Sequence, residues 1–142
     1  MSVKTVVVTG ASSGLGAHMA KRLVRDGHRV IAGARRAERL EELERELSSE
    51  PGEIRVLEAD VTRDEDVSAL IQLAAGESGR IDALVNNAGM EVQGAIDRLE
   101  EKDFEQMLRT NVIGPYLCIR AALPHLVDAK GVVVNIGSTV VV

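Results

Sequence analysis

Thr9-Gly10-Ala11-Ser12-Ser13-Gly14-Leu15-Gly16 is the stretch that decides how this chain folds. It follows Val3-Lys4-Thr5-Val6-Val7-Val8-Thr9, a β-branched run that reads as a buried strand. It leads into residues 14–26, where Leu15, Met19, Leu23 and Val24 recur at helical spacing. Strand, glycine-rich turn and helix in that order make a cradle for phosphate. Gly10 lets the chain turn tightly off the strand, while Gly14 and Gly16 let backbone approach a pyrophosphate and let the helix pack closely on the sheet. The helix N-terminus adds free N–H groups and the positive end of its dipole. A plain glycine-rich turn has the same composition, and only the strand-turn-helix setting separates the two.

Outward from this stretch, strand and helix signals alternate. Gly27 predicts a left-handed helix end, and residues 28–34 a second strand. Ala37, Leu40, Leu43 and Leu47 form the stripe of a second helix, whose charged outer face offers Glu41 and Arg45 as an i,i+4 pair. Pro51-Gly52 turns the chain into a third strand, 53–58. Thr62 and Glu65 fit a capping box for a helix with Val67, Leu70, Ile71 and Ala74 inward. A fourth strand at 81–86 is followed by a long helix from about 100 towards 128, expected to bend near Gly114-Pro115. Residues 131–137 read as a fifth strand. This alternation predicts one doubly wound α/β domain over 1–142, a Rossmann fold with helices on both faces of a parallel sheet. The expected strand order is 3-2-1-4-5, with the ligand crevice between strands one and four.

Composition narrows the partners. A net charge of −5 argues against nucleic acid or an anionic membrane as the main partner. The longest apolar stretch, 112–127, is interrupted by Pro115, Arg120, Pro124 and His125 and is too short to span a bilayer. Cys118 is the single cysteine, so no internal disulfide forms and a reducing compartment is expected. With the first strand starting at Val3 and no leader read before it, the expectation is a cytoplasmic protein.

The spacing Thr-Gly-x-x-x-Gly-x-Gly differs from the usual Gly-x-Gly-x-x-Gly and is joined by further motifs in order. These are Asp60-Val61 after strand three, Asn86-Asn87-Ala88-Gly89 after strand four, Asn111 with Gly114 on the long helix, and Ser138 closing strand five. Together they resemble the short-chain dehydrogenase/reductase family, over essentially the whole chain. The resemblance implies that Gly10, Ser12, Ser13, Gly14, Leu15 and Gly16 cradle the cofactor's phosphates and ribose. It implies that Asp60 and Val61 contact the adenine, and that Asn87, Ala88 and Gly89 line its ribose and lock strand four. Cofactor choice is set at the end of strand two, where an acid selects NAD and an arginine accommodates the 2′-phosphate of NADP. The sequence there is Gly33-Ala34-Arg35-Arg36-Ala37, without an acid, so Arg35 and Arg36 are the expected phosphate clamp and NADP the expected cofactor over NAD. Two solvated arginines opening a helix are the bland alternative, disfavoured because they oppose its dipole.

The family transfers hydride between a nicotinamide cofactor and a carbonyl or alcohol, using Ser, Tyr and Lys with an Asn that holds a water relay. By position, Asn111 and Ser138 match two of these, and the Tyr-x-x-x-Lys pair is absent, so the chain is expected to stop before that segment. Tyr116 with Arg120 imitates the pair but precedes Ser138, and packing is the better reading of it. His18, His28 and His125 are isolated, read as surface or capping residues, and no metal site is expected. Met90, Phe104 and Met107 read as core or pocket lining, and Cys118 as an unactivated thiol. Two functions stand side by side: the NADP(H)-binding portion of an oxidoreductase acting on a small carbonyl or alcohol, or an inactive nucleotide-binding or interaction module. Strand five and the tail Val140-Val141-Val142 would leave apolar surface and a bare edge, so a homo-oligomer or a complementing chain is expected.

Overall fold

The computed structural model describes residues 2–138, apart from the side chain of Glu77. The elements are β1 (Thr5–Thr9), α1 (Gly14–Arg25), β2 (Arg29–Ala34), α2 (Ala37–Glu46), β3 (Glu53–Glu58), α3 (Asp64–Ala75), β4 (Ala83–Asn86), α4 (Glu101–Leu108), α5 (Gly114–Ala129) and β5 (Val132–Asn135). A π turn, Arg109–Ile113, joins α4 to α5. The strands form one parallel sheet in the order β3-β2-β1-β4-β5, as the alternation requires.

The two-residue period of a strand divides β1 between two cores. Val6 and Val8 join Val30 and Ala32 under α1 and α2, where Val24, Leu40, Leu43 and Leu47 are buried. Val7 joins Ile31 and Leu84 under α3 and α5, against Val67, Leu70, Ile71, Ala74, Cys118 and Ala122. Both faces of β1 and β2 are thus covered, which explains their unbroken apolar runs.

Several local expectations change. The buried seam of α1 is Gly16, Ala20 and Val24, flanked by the partly buried Met19 and Leu23, whereas Leu15 is exposed. Small residues at i and i+4 let this helix lie close to the sheet. Gly27, at φ +86°, does close the helix, its N–H reaching the Val24 carbonyl and that of His28 reaching Leu23. The capping box at Thr62 does not form: α3 starts at Asp64, and the Thr62 N–H and hydroxyl both donate to Asp60 Oδ1 at 2.9 and 2.7 Å. Arg63 occupies the N-cap position, so Thr62 falls one residue outside it and folds back on Asp60 as an Asx-type turn. Arg45 donates to the Glu41 backbone carbonyl rather than to its carboxylate, while Lys21 and Arg25 reach from α1 to Glu46.

The long helix is two helices with a π turn just before Gly114-Pro115, the region where a bend was expected. Pro115 sits at the start of α5, where its missing N–H costs little. Gly114 lies against Val61, whose Cγ2 would be 2.8 Å from an added Cβ. Phe104, expected as core or lining, is 47% exposed, and Tyr116, expected to pack, is 53% exposed. β5 pairs with β4 from Ala83↔Val132 to Asn86↔Asn135, yet each of its residues is exposed. The tail Val140–Val142 lies outside the described residues.

Candidate functional site: a crevice at the sheet's switch point

The crevice opens at the carboxyl ends of β1 and β4, where the strand order reverses. Its frame is a set of hydrogen bonds centred on Thr9, which is fully buried. The Thr9 hydroxyl accepts from the Asn87 and Ala88 N–H groups at 3.1 and 3.0 Å and lies 3.4 Å from the Val85 carbonyl it donates to. Asn87 returns the tie, its Nδ2 donating to the carbonyls of Thr9 and Gly10 at 3.1 and 3.2 Å. Gly10 turns away at φ +65°, with no room for a Cβ beside Ala88. A Cβ at Gly16 would collide with the Gly10 carbonyl and the Asn87 amide. The loop, the start of α1 and the end of β4 therefore form one rigid lip.

Ser13 precedes α1 with extended backbone, and its side chain does not cap the helix. Its hydroxyl instead accepts from Arg36 Nη2 at 2.6 Å, while the Ser12 hydroxyl accepts from Arg36 Nε and Nη2 at 3.2 and 3.1 Å. Arg36 thus latches the glycine-rich loop to the end of β2 and leaves first-turn N–H groups of α1 for a ligand. Arg35 has no hydrogen-bond or ion-pair partner among the described residues and lines the crevice. On the far wall, burial works against the ionised Asp60, but the two bonds from Thr62 and the charges of Arg35 and Arg63 outweigh it and hold the carboxyl below its ordinary value.

The resulting cavity measures about 490 Å³, within the range of small-molecule sites. Gly10, Ser12, Ser13, Arg35 and Arg36 line it from one side, with Asp60, Val61, Asn87, Ala88 and Gly89 from the other. Gly14, Leu15 and Gly16 do not line it: Gly16 is buried beneath the loop and Leu15 faces outward. Thr110, Ala34 and Ala59 also line it and were not expected from the sequence. Motif reading passes over Thr9 as a site residue, although a hydroxyl at a strand end before the glycine is a readable signal.

A second cavity of about 710 Å³ lies alongside, between α5 and the β4–β5 ends. Asn111 lines it, and its side chain is tied to Met90, accepting from the Met90 N–H at 2.9 Å and donating to the Met90 carbonyl at 2.8 Å. Asn86 donates to Asn135 at 2.9 Å across the sheet, and its own buried Oδ1 has no partner. Tyr116 and Arg120 share this wall, with the guanidinium 5.4 Å from the ring centre and paired to Asp64 at 2.8 Å. Ser138 is exposed beyond β5 and lines neither cavity. Burial pushes the Cys118 thiol up to about 11, so it is no nucleophile. His125 Nδ1 lies 2.7 Å from the Gly79 carbonyl, and His18 is exposed. Among the described residues, no three His, Cys, Asp or Glu side chains gather as a metal site, and no helix is long and apolar enough to cross a membrane.

A family profile described as short chain dehydrogenase matches residues 4–141. The chain is 38% identical over 138 residues to a 3beta-hydroxysteroid dehydrogenase of Eggerthella lenta, covering 95% of this chain and 53% of that protein. Among solved structures it resembles an alcohol dehydrogenase of Thermococcus sibiricus complexed with 5-hydroxy-NADP, with a TM-score of 0.89 and 31% identity over 94% of this chain and 57% of the other. It also resembles a metagenomic short-chain oxidoreductase in complex with NADP, with a TM-score of 0.88 and 34% identity over 96% and 63% of the two chains. The chain spans about half the length of the curated relatives it matches.

Proposed function

The chain belongs to the short-chain dehydrogenase family, and from that premise we propose that it is the NADP(H)-binding portion of an oxidoreductase acting on a small carbonyl or alcohol. One observation carries the cofactor choice: β2 ends in an unpartnered Arg35 beside a latched Arg36, with no acid at the turn. A 2′-phosphate there meets charge-assisted donors, whereas an NAD ribose finds no carboxylate for its hydroxyl. The NADP complexes among the similar structures agree with this reading.

The residues fit the cofactor part by part. The Ser12–Ser13 loop and the uncapped start of α1 take the phosphates, Asp60 accepts from the adenine amino group, and Asn87 to Gly89 flank the ribose. Once bound, the nicotinamide supplies or accepts the hydride. Gly14, Leu15 and Gly16 act by shaping the loop more than by touching the ligand. Asn111 orients the segment at Met90 through its side chain, and its remaining N–H and oxygen lone pair are the groups it would offer a water relay. Ser138, which lines neither cavity in this structure, would offer a hydroxyl to hold the substrate oxygen. With a single unactivated thiol, the protein suits a reducing, cytoplasmic compartment, and the open edge of β5 suits self-association or a complementing chain.

Fluorescence titration with NADPH and NADH tests the proposal. NADPH binds tighter, and Arg35→Asp weakens it by about 1.5–3 kcal/mol while leaving NADH nearly unchanged. Equal affinities for the two cofactors in the unmutated chain overturn it.

A further inference from the structure

We propose that Arg109, on the π turn, is a further determinant of cofactor choice that engages the adenosine 2′-phosphate together with Arg35; the inference rests on the NADP reading above. Beyond Asp60 the crevice continues into a recess of about 300 Å³. Arg35, Asp60 and Thr110 line both spaces, and Arg109 and Lys102 line the recess alone.

Asp60 and Glu105 also line this recess, yet among the described residues neither forms an ion pair with Arg35 or Arg109, whereas several arginines elsewhere are closed off by a carboxylate. Arg22 pairs with Asp26, Arg63 with Asp66 and Arg120 with Asp64. Arg109 has Glu105 one helical turn before it, the usual i,i+4 partner, yet among the described residues its guanidinium forms no ion pair or hydrogen bond. Lys102 is held by Glu100 at 2.7 Å, and Asp60 Oδ1 is taken by Thr62. Arg35 and Arg109 therefore border one recess without a hydrogen-bond or ion-pair partner among the described residues, and their forked donors are open to an anion that bridges them. A phosphate is the matching guest, because a guanidinium presents planar, forked donors to its oxygens. A phosphate on the adenosine ribose, at the Arg35 end of the crevice, is the anion that the proposed cofactor brings within reach. NADH brings none.

The full chain, titrated with NADPH, NADH and 2′,5′-ADP, decides the matter, using Arg109→Ala, Arg109→Lys and, as control, Arg35→Ala. Arg109 is exposed, so its variants keep the native circular dichroism. Arg109→Ala weakens NADPH and 2′,5′-ADP about five- to ten-fold, a charged contact reduced by screening, and leaves NADH within about two-fold. Arg109→Lys recovers part of the loss. If Arg35→Ala removes the NADPH preference and Arg109→Ala does not, this inference fails and the NADP reading stands. Equal losses for NADPH and NADH on Arg109→Ala also overturn it, since they mark a role in the base or the fold. An unmutated chain with no NADPH preference removes both readings.

Discussion

β1 and β5 contain the same tripeptide in opposite circumstances. Val6, Val7 and Val8 are 4%, 0% and 0% exposed, whereas Val132, Val133 and Val134 are 57%, 38% and 42% exposed. Both strands are parallel, and both are hydrogen-bonded in register to β4. What differs is cover: β1 has strands on both sides and helices on both faces, while among the described residues β5 has one neighbouring strand and α5 as the helix packed most against it. A run of valines therefore specifies a strand, and only the layers around it specify a core.

Placing a carboxylate in each strand sharpens this contrast most. Val7→Asp buries a charge with no partner, a cost comparable to the whole stability of a domain at about 5–15 kcal/mol, so this variant does not fold. Val133→Asp changes stability by no more than about 0.5–1 kcal/mol and lowers self-association in light scattering. Urea denaturation checks the pair, and equal losses in the two strands would break the comparison. The same division holds for chemistry. The β1 half supplies a cofactor crevice, but the 142 residues hold no Tyr-x-x-x-Lys to protonate a developing alkoxide. General acid–base catalysis contributes about 10²–10⁴-fold, so these 142 residues alone are expected to oxidise NADPH slower by about that factor than a chain that carries the pair, across a panel of carbonyl compounds. Robust turnover would bring Tyr116 and Arg120 back as candidates.

Thr9 lies on the seam between the halves. Thr9→Val keeps the shape and leaves the Asn87 and Ala88 N–H groups unpaired, at about 1–3 kcal/mol each. An unshifted urea midpoint would show that Thr9 does not tie the halves together. A smaller effect than that of Thr9→Val belongs to Thr62→Val, which removes one bond to Asp60 and costs about 0.5–1.5 kcal/mol at neutral pH. Asp60 titrates below its ordinary value when folded, so the stability it contributes is present above about pH 4 and lost as pH falls through the lower folded value. Denaturation midpoints of the two proteins converge in acid; a gap that persists there would contradict the assignment.

The alternation of elements is legible in the sequence because each signal is local: a β-branched run, a glycine at a turn, an apolar stripe. Much of the crevice is legible too, since Ser12, Arg35, Asp60 and Asn87 each sit at the end of such an element. What escapes is pairwise and distant. Arg36 meets Ser12 and Ser13 across more than twenty residues of chain, and nothing near Arg36 announces it. The Thr62 cap fails because the helix starts one residue later, with Arg63 at the cap position, while the Asp60 carboxylate draws Thr62 into a turn of its own. The π turn is held by Asn111 gripping Met90 and Gly114 lying on Val61, neither of which a helical period reveals.

That π turn works as a phase shifter. One extra residue in a helix rotates the upstream turns by about 100° relative to the downstream ones. α5 keeps Gly114, Cys118, Ala122 and Leu126 in a straight inward row, while α4, on the same continuous path, buries no residue at all. Upstream of the turn, Phe104 and Leu108 are released from the geometry of the sheet and can vary in size or charge without disturbing a packed layer. The chain thereby gains an outward-facing arm on the same rod that anchors it, with its apolar Phe104 and Leu108 turned to solvent.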